Sequence, residues 1–249
     1  MFIYELFESK NSEVLVIYPG RFQPWHKGHF AVYNYLVGKF GRDRVFVATS
    51  NKVDPPRSPF SFNEKIQFMH LTGVPEDRIV ETRDPYRAVE LVHKYNPNTT
   101  TLLFAVSEKD MAEDPRFSFG RKKDGSPSYL QPMPNDMDNM LPLGQHAYIM
   151  TVPTFNFEVL GKPMRSATEV RAQFKSADDN TQKEIITDLF GTYDSNVHAI
   201  MKSKLSEDAA GVGAVAKRHQ QNDPRYKTSM TVDVKPNTMR KNMQAFRLV

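Results

Sequence analysis

Two histidines three residues apart, His26 and His29, stand either side of Gly28 in the run Gly20-Arg21-Phe22-Gln23-Pro24-Trp25-His26-Lys27-Gly28-His29. Imidazoles at this spacing meet on one side of a first helical turn, where they offer two hydrogen-bond donors to a single ligand. The glycine between them leaves the backbone bare, so that a polyphosphate can approach it closely. What surrounds the run says where it lies in a fold. Before it, Val14-Leu15-Val16-Ile17-Tyr18 is a continuous apolar, β-branched segment of the kind that forms a strand covered on both faces. After it, Phe30, Tyr33, Leu36 and Val37 recur at helical spacing. Gly28 and His29 are therefore expected at a helix start, where unpaired N–H groups and the positive end of the helix dipole attract an anion.

A second run has compatible chemistry. In Met164-Arg165-Ser166-Ala167-Thr168-Glu169-Val170-Arg171, Ser166 followed by Glu169 reads as a capping box that opens another helix with free N–H groups. On that helix Thr168 and Arg171 share a face, which lets a hydroxyl and a guanidinium grip one phosphate group.

GRFQPWHKGH resembles the HxGH signature of the nucleotidylyltransferase superfamily, in the form found in archaeal-type nicotinamide mononucleotide adenylyltransferases. Ser166 to Arg171 is similar to the same family's S-x-T-x-x-R motif, and Arg57-Ser58-Pro59-Phe60-Ser61-Phe62-Asn63-Glu64-Lys65 looks like its Pro-Phe approach to the next helix. The resemblance implies transfer of AMP from ATP to a phosphorylated acceptor with release of pyrophosphate, nicotinamide mononucleotide giving NAD. It also implies the roles. His26, His29 and Arg171 act on the triphosphate, while Gly20, Arg21, Phe22, Gln23, Gly28, Arg57, Ser166 and Thr168 bind nucleotide. Ser107-Glu108-Lys109-Asp110 resembles the loop that meets base and ribose in relatives, adding Lys109 and Asp110. Family members usually carry Arg where this chain has Lys65, which leaves the role of that position open. Mg²⁺ is expected to arrive with ATP, since no carboxylate cluster suggests a dedicated protein cage and no protein metal ligands are assigned. HxGH does not separate ATP from CTP, nor this acceptor from pantetheine phosphate, FMN, choline phosphate or glycerol phosphate. A non-catalytic nucleotide-binding, regulatory or virion-associated module is the reading from another class; intact His26, His29 and Arg171 speak against it.

The elements that must position these residues follow from periodicity. Strands are expected at Val14 to Tyr18, Val45 to Ala48, Thr101 to Val106 and Ala147 to Val152, with a short extended run at Phe155 to Val159. Helices are expected after the first motif, from Tyr86 to Tyr95, from Ser166, and over 181–190 and 194–204. Alternation at this spacing argues for an α/β fold, a Rossmann-like parallel sheet with helices on both faces. Residues 1–204 would form that domain. Within it, 113–146 is a long insertion with five prolines and the cluster Arg116, Arg121, Lys122 and Lys123, in which Lys123 to Ser126 reads as a turn. Loops of this length seldom lack a purpose, and a lid over the site is the preferred reading, with an oligomer contact second.

Residues 205–249 read as a basic extension. From 211 onward there are eight Lys or Arg against Asp223 and Asp233, a net of +6 in a chain whose total is +4. The remainder is therefore near −2, which is not the footprint of a specific nucleic-acid-binding domain. Met239, Met243, Phe246 and Leu248 give the extension an apolar end suited to docking on a second subunit or on the parent domain, and a homo-oligomer is expected. Thr231 to Pro236 is reminiscent of tails on proteins of large tailed bacteriophages. No apolar run approaches the roughly 20 residues that span a bilayer, and with no cysteine a disulfide framework is excluded. Met1 to Leu6 lacks a basic region and cleavage site, so residence in the cytoplasm is expected, that of the host if the chain is phage-encoded.

Overall fold

In the computed structural model, residues 13–113, 119–135 and 137–205 are described. Six parallel strands form one sheet: β1 (Glu13–Pro19), β2 (Val45–Thr49), β3 (Ile79–Glu81), β4 (Thr100–Ser107), β5 (Leu130–Pro132) and β6 (Ala147–Val152). Their order is β3-β2-β1-β4-β6-β5. Alternate side chains of the central strands enter two cores. Val14, Val16, Val45, Val47, Leu103 and Ala105 face one side, and Leu15, Ile17, Phe46, Ala48, Leu102 and Phe104 face the other. Burial on both faces is why these strands read as unbroken apolar runs.

The first core is covered by α1 (Lys27–Phe40), α2 (Phe62–Leu71) and three late helices, α5 (Ala167–Ser176), α6 (Asp179–Phe190) and α7 (Ser195–Leu205). The second is covered by α3 (Val89–Val92) and by Tyr129, Leu130 and Leu143. A short helix, α4 (Glu108–Glu113), continues directly from β4. A separate hairpin pairs β7 (Phe157–Val159) with antiparallel β8 (Lys162–Met164).

From β1 the chain moves outward through β2 and β3, then returns to place β4 on the opposite side of β1. At such a reversal the loops that follow β1 and β4 leave in opposite directions and open a crevice at the carboxyl ends of the strands. Both the His26 segment and the Ser107 to Asp110 segment lie there. The expected α/β parallel sheet is the fold observed.

The structure departs from the sequence reading in three respects. The expected helix from Tyr86 is confined to Val89–Val92, because Asp84 draws the preceding residues into a turn. Ala88 N–H donates to the Asp84 carbonyl at 2.8 Å and Tyr86 N–H to its carboxylate at 3.1 Å, and Ala88 takes a left-handed φ of 43°. Strands β3, β5 and β8 were not expected, since three residues are too few to show a period. The segment predicted as a lid contributes β5 to the sheet edge. There Tyr129 is buried with its hydroxyl donating to the Leu143 carbonyl at 2.5 Å, and Gly144 N–H donates to Pro97 O at 2.8 Å. Gly144 is required there, as a Cβ would stand 2.8 Å from that oxygen. Lys123 to Ser126 does form a turn, with Gly125 at φ 81°. Arg116 lies outside the described residues, as does the basic extension beyond Leu205, so the expectations placed on them stay expectations. Among the described residues no helix is long and apolar enough to cross a membrane.

Candidate nucleotide site

The loop after β1 is built to hold an awkward backbone. Phe22 has a left-handed φ of 47°, a conformation that costs a non-glycine residue about 1–3 kcal/mol. Its buried ring is held edge-on by Tyr18 at 5.3 Å and Trp25 at 4.9 Å. Gly20 must be glycine, because a Cβ would lie 2.4 Å from that ring. Gln23 pairs with the backbone of Phe60 in both directions, donating to its carbonyl at 2.9 Å and accepting its N–H at 2.8 Å. Trp25 donates its indole N–H to Thr72 at 2.9 Å.

Lys65 completes this framework. It is buried on α2, and its ammonium donates to Thr49 Oγ1 at 2.7 Å, to the Ser50 carbonyl and to the Arg21 carbonyl at 3.4 Å. The ends of β1 and β2 are thus joined through one cation. Burial pulls its pKa down to about 8, opposed in part by Glu81. Because the folded pKa lies below the unfolded one, the folded chain sheds this proton first, and Lys65 makes stability rise between about pH 8 and 10.5. The Lys65→Met variant, with three oxygens left unsatisfied, is expected to be less stable by about 3 kcal/mol or more. Its deficit should widen across that pH window in thermal melts; a constant deficit would show that Lys65 is not the titrating group.

Helix α1 starts at Lys27 with His26 as an extended N-cap that makes no side-chain capping bond. Its first-turn N–H groups are therefore open to a ligand. The imidazoles belong to a column of four rings. Phe157 stacks on His26 at 4.2 Å, His26 on His29 at 3.7 Å, and His29 on Trp25 at 5.4 Å. Gly28 owes its identity to this column at least as much as to a ligand. A Cβ would stand 2.9 Å from the Phe157 ring and 3.1 Å from that of His26. The Nδ1 atoms of both histidines are buried without a hydrogen-bond partner.

Burial holds both imidazoles neutral. The pKa of His26 falls well below the usual value, through desolvation first and the neighbouring His29 second, and desolvation takes His29 down to about 3. Folded pKa values below unfolded ones mean that the stability these groups contribute is present above pH 6.5 and is lost as pH falls toward 3. Acid unfolding is expected to begin just under pH 6.5, and His29→Gln should flatten that limb of the stability profile. An equal slope in variant and parent would assign acid lability to other groups.

From the opposite wall comes α5. Ser166 caps it, accepting the Glu169 N–H at 3.3 Å, but the expected reciprocal bond is absent: the Glu169 carboxylate takes the Arg165 N–H at 2.8 Å instead. The full capping box lies at Ser61 and Glu64, ahead of α2. Arg171 reaches from α5 to the first loop, donating to the Gln23 carbonyl and to Thr168 Oγ1 at 3.2 Å. Thr168 and Arg171 thus share a face as expected.

These walls enclose about 480 Å³. The cavity brings together Gly20, Arg21, Phe22, Gln23, His26, Gly28, His29, Arg57, Asp110, Ser166, Thr168 and Arg171, all singled out from the sequence. The Lys109 side chain lies outside what the structure describes, so its expected role stays an expectation; Ser107 Oγ accepts the Asp110 N–H at 3.0 Å within the same turn. Arg165, Phe155, Phe157 and Tyr86 also line it and were missed, and Lys65, whose role the sequence left open, stands behind it. A lysine three residues before Phe68 and four before Met69, on the apolar stripe of α2, was the available signal for Lys65. Among the described lining residues, four guanidinium groups (Arg21, Arg57, Arg165 and Arg171) face one carboxylate, Asp110. None of the described residues within 119–146 lines the cavity.

Fold and site define an α/β domain whose guanidinium-lined cavity lies at the crossover between β1 and β4. Residues 17–125 match the family described as cytidylyltransferase-like. The chain is 23% identical over 96 residues to nicotinamide-nucleotide adenylyltransferase 1 of Sulfolobus acidocaldarius, a stretch covering 35% of this chain and 55% of that protein. It is 34% identical over 67 residues to the nicotinamide-nucleotide adenylyltransferase of Sulfurisphaera tokodaii, covering 27% and 38%. The chain therefore spans about half or less of the length of these relatives. A solved structure of a bifunctional NMN adenylyltransferase/ADP ribose pyrophosphatase from Francisella tularensis, complexed with AMP and an Mn ion, aligns with a TM-score of 0.45 at 15% identity, over 91% of this chain and 58% of that one. The Plasmodium falciparum nicotinic acid mononucleotide adenylyltransferase complexed with NaAD aligns with a TM-score of 0.41 at 12% identity, over 76% and 94%. The chain is thus similar, over residues 17–125, to the cytidylyltransferase-like family.

Proposed function

We propose that the protein is an adenylyltransferase that moves AMP from ATP to a phosphorylated acceptor, with nicotinamide mononucleotide as the acceptor and NAD as the product. The observation that carries this is the pairing of two stacked, neutral imidazoles at an open helix start with four guanidinium groups across one cavity. A phosphate oxygen of the acceptor attacks the α-phosphorus of ATP, the bond from that phosphorus to the bridging oxygen breaks, and pyrophosphate leaves with both electrons of that bond. Little covalent chemistry is asked of the protein; alignment of the two substrates and neutralisation of the leaving charge supply the rate. Arg21, Arg57 and Arg171 hold phosphates, Ser166 and Thr168 donate to the β- and γ-groups, and His26 and His29 donate to the oxygens on which charge accumulates. Mg²⁺ would enter with ATP as part of the substrate and would supply positive charge to its phosphates. Asp110 is the carboxylate on the described cavity wall that such an ion would meet.

Relatives named as nicotinamide-nucleotide adenylyltransferases support the choice of nucleotide and acceptor. The test is pyrophosphate release with each nucleoside triphosphate, Mg²⁺ and a panel of acceptors: nicotinamide mononucleotide, pantetheine phosphate, FMN, choline phosphate and glycerol phosphate. Release is expected with ATP and nicotinamide mononucleotide together. Release with CTP and an alcohol phosphate would reassign the substrates, and none with any pair would leave a nucleotide-binding module.

A further inference from the structure

The β7–β8 hairpin, which connects β6 to α5, packs against the His26 segment. Phe157, at its first position, lies parallel to the His26 ring within 21° at 4.2 Å. Val159, two residues on and so on the same face, is fully buried in the first core, and Gln173 of α5 donates to its carbonyl at 3.4 Å. The two-residue tip, Leu160 and Gly161, takes φ values of 51° and 72°, as a tight hairpin turn demands. Leu160 lacks glycine's freedom at such an angle, and a specific bond holds it: its N–H donates to Asp188 of α6 at 2.7 Å. The other oxygen of Asp188 accepts from the Lys27 ammonium at 2.6 Å. One carboxylate therefore joins the hairpin tip to the residue between His26 and Gly28. Gly28 in turn leaves the space that the Phe157 ring fills.

We propose that this hairpin is the positioning element of His26: Phe157 sets the plane of the imidazole, and Asp188 fastens the hairpin to the first turn of α1 so that ring and helix start keep one geometry. The proposal rests on the reading of His26 as a group that contacts the triphosphate. Its own observations are independent of any activity: a parallel ring contact, a glycine whose missing Cβ makes room for it, and a carboxylate bonded to both partners. His26 has no hydrogen-bond partner at Nδ1 to fix its ring. Packing has to do so, and Phe157 and His29 are the two rings stacked on it.

The test follows the His26 ring protons by NMR alongside kinetics, in the parent and in the Phe157→Leu, Phe157→Tyr and Asp188→Asn variants. In Phe157→Leu the His26 resonances should lose the ring-current shift, and kcat should fall roughly 10- to 100-fold, the range for misplacement of a reacting group by about an ångström. KM for ATP should stay within about threefold of the parent value. Phe157→Tyr keeps the ring and should restore both signal and rate. Asp188→Asn, changed at a partly exposed site, should shift the same resonances by a smaller amount with a fall in kcat of about tenfold. It carries the test if Phe157→Leu does not fold. His26 resonances at their parent positions in both variants would overturn the proposal, as would a kcat equal to the parent's in Phe157→Leu. Absence of pyrophosphate release from the parent with every acceptor would instead refute the assigned activity, and the ring resonances would then decide the positioning role by themselves.

Discussion

His29→Ala is expected to lower kcat for pyrophosphate release by roughly 100-fold or more, the usual loss when one donor to a developing oxyanion is removed. ATP affinity should change by less than about threefold, because the group acts mainly in the transition state. The asymmetry follows from its protonation. With a pKa held down to about 3 by burial, His29 is neutral at pH 7 and presents a donor rather than a charge to bound ATP. As the bond to the α-phosphorus breaks, negative charge accumulates on the bridging and pyrophosphate oxygens, and a hydrogen bond from the imidazole strengthens with it. The ring is held between His26 at 3.7 Å and Trp25 at 5.4 Å, so little reorganisation is expected during the reaction. His29→Asn, which retains a donor, should recover part of the rate. A kcat equal to the parent's in His29→Ala, measured at saturating ATP, would remove His29 from the catalytic group.

The proposed division of labour, neutral imidazoles for the transition state and guanidiniums for ground-state charge, was only half legible in the sequence. The motif residues and their place after β1 could be read because a buried parallel strand gives an unbroken apolar run and the following helix shows its 3.6-residue period at once. Residues 14–18, 45–48 and 101–106 were legible for that reason, and they fix the crevice where the site lies. Protonation was not legible. It depends on how thoroughly Phe22, Trp25 and Phe157 exclude water from the two imidazoles, and Phe157 comes from a hairpin distant in sequence.

Lys65 illustrates the same limit from the other side. Its position on an apolar helical stripe was visible, but its three acceptors are a hydroxyl and two backbone carbonyls, groups that every sequence contains and no pattern marks. The segment 113–146 looked like a loop because prolines interrupt it. The structure nevertheless seats Tyr129, Leu130 and Leu143 in the second core, three buried residues that suffice to hold an edge strand of the same length. Ala88 shows local side-chain chemistry prevailing over periodicity. Ala88, Val89, Leu91 and Val92 have helical spacing, but the Asp84 turn sets where the helix can begin.

Arg171→Ala is expected to weaken ATP binding by about 1.5–3 kcal/mol, the range for a hydrogen bond to a charged group. That is roughly 10- to 150-fold in Kd. AMP, which lacks the β- and γ-phosphates, should lose less than about threefold. Arg171 is half-buried, and desolvation together with the nearby Arg21 lowers its pKa. A guanidinium still carries its charge at pH 7 despite such a shift, so the cost of holding two cations together is offset when a polyanion enters between them. The same side chain also fastens α5 to the first loop through the Gln23 carbonyl. Its removal therefore has two separable consequences. Loss of the fastening would loosen the loop for every nucleotide, whereas loss of the charge would be felt only by the terminal phosphates. Arg171→Lys keeps the charge but not the fork that spans Gln23 and Thr168. Calorimetric titration of both variants with ATP and AMP separates these effects: a selective loss for ATP in Arg171→Ala supports the triphosphate role, and equal losses for the two nucleotides would assign Arg171 to the loop.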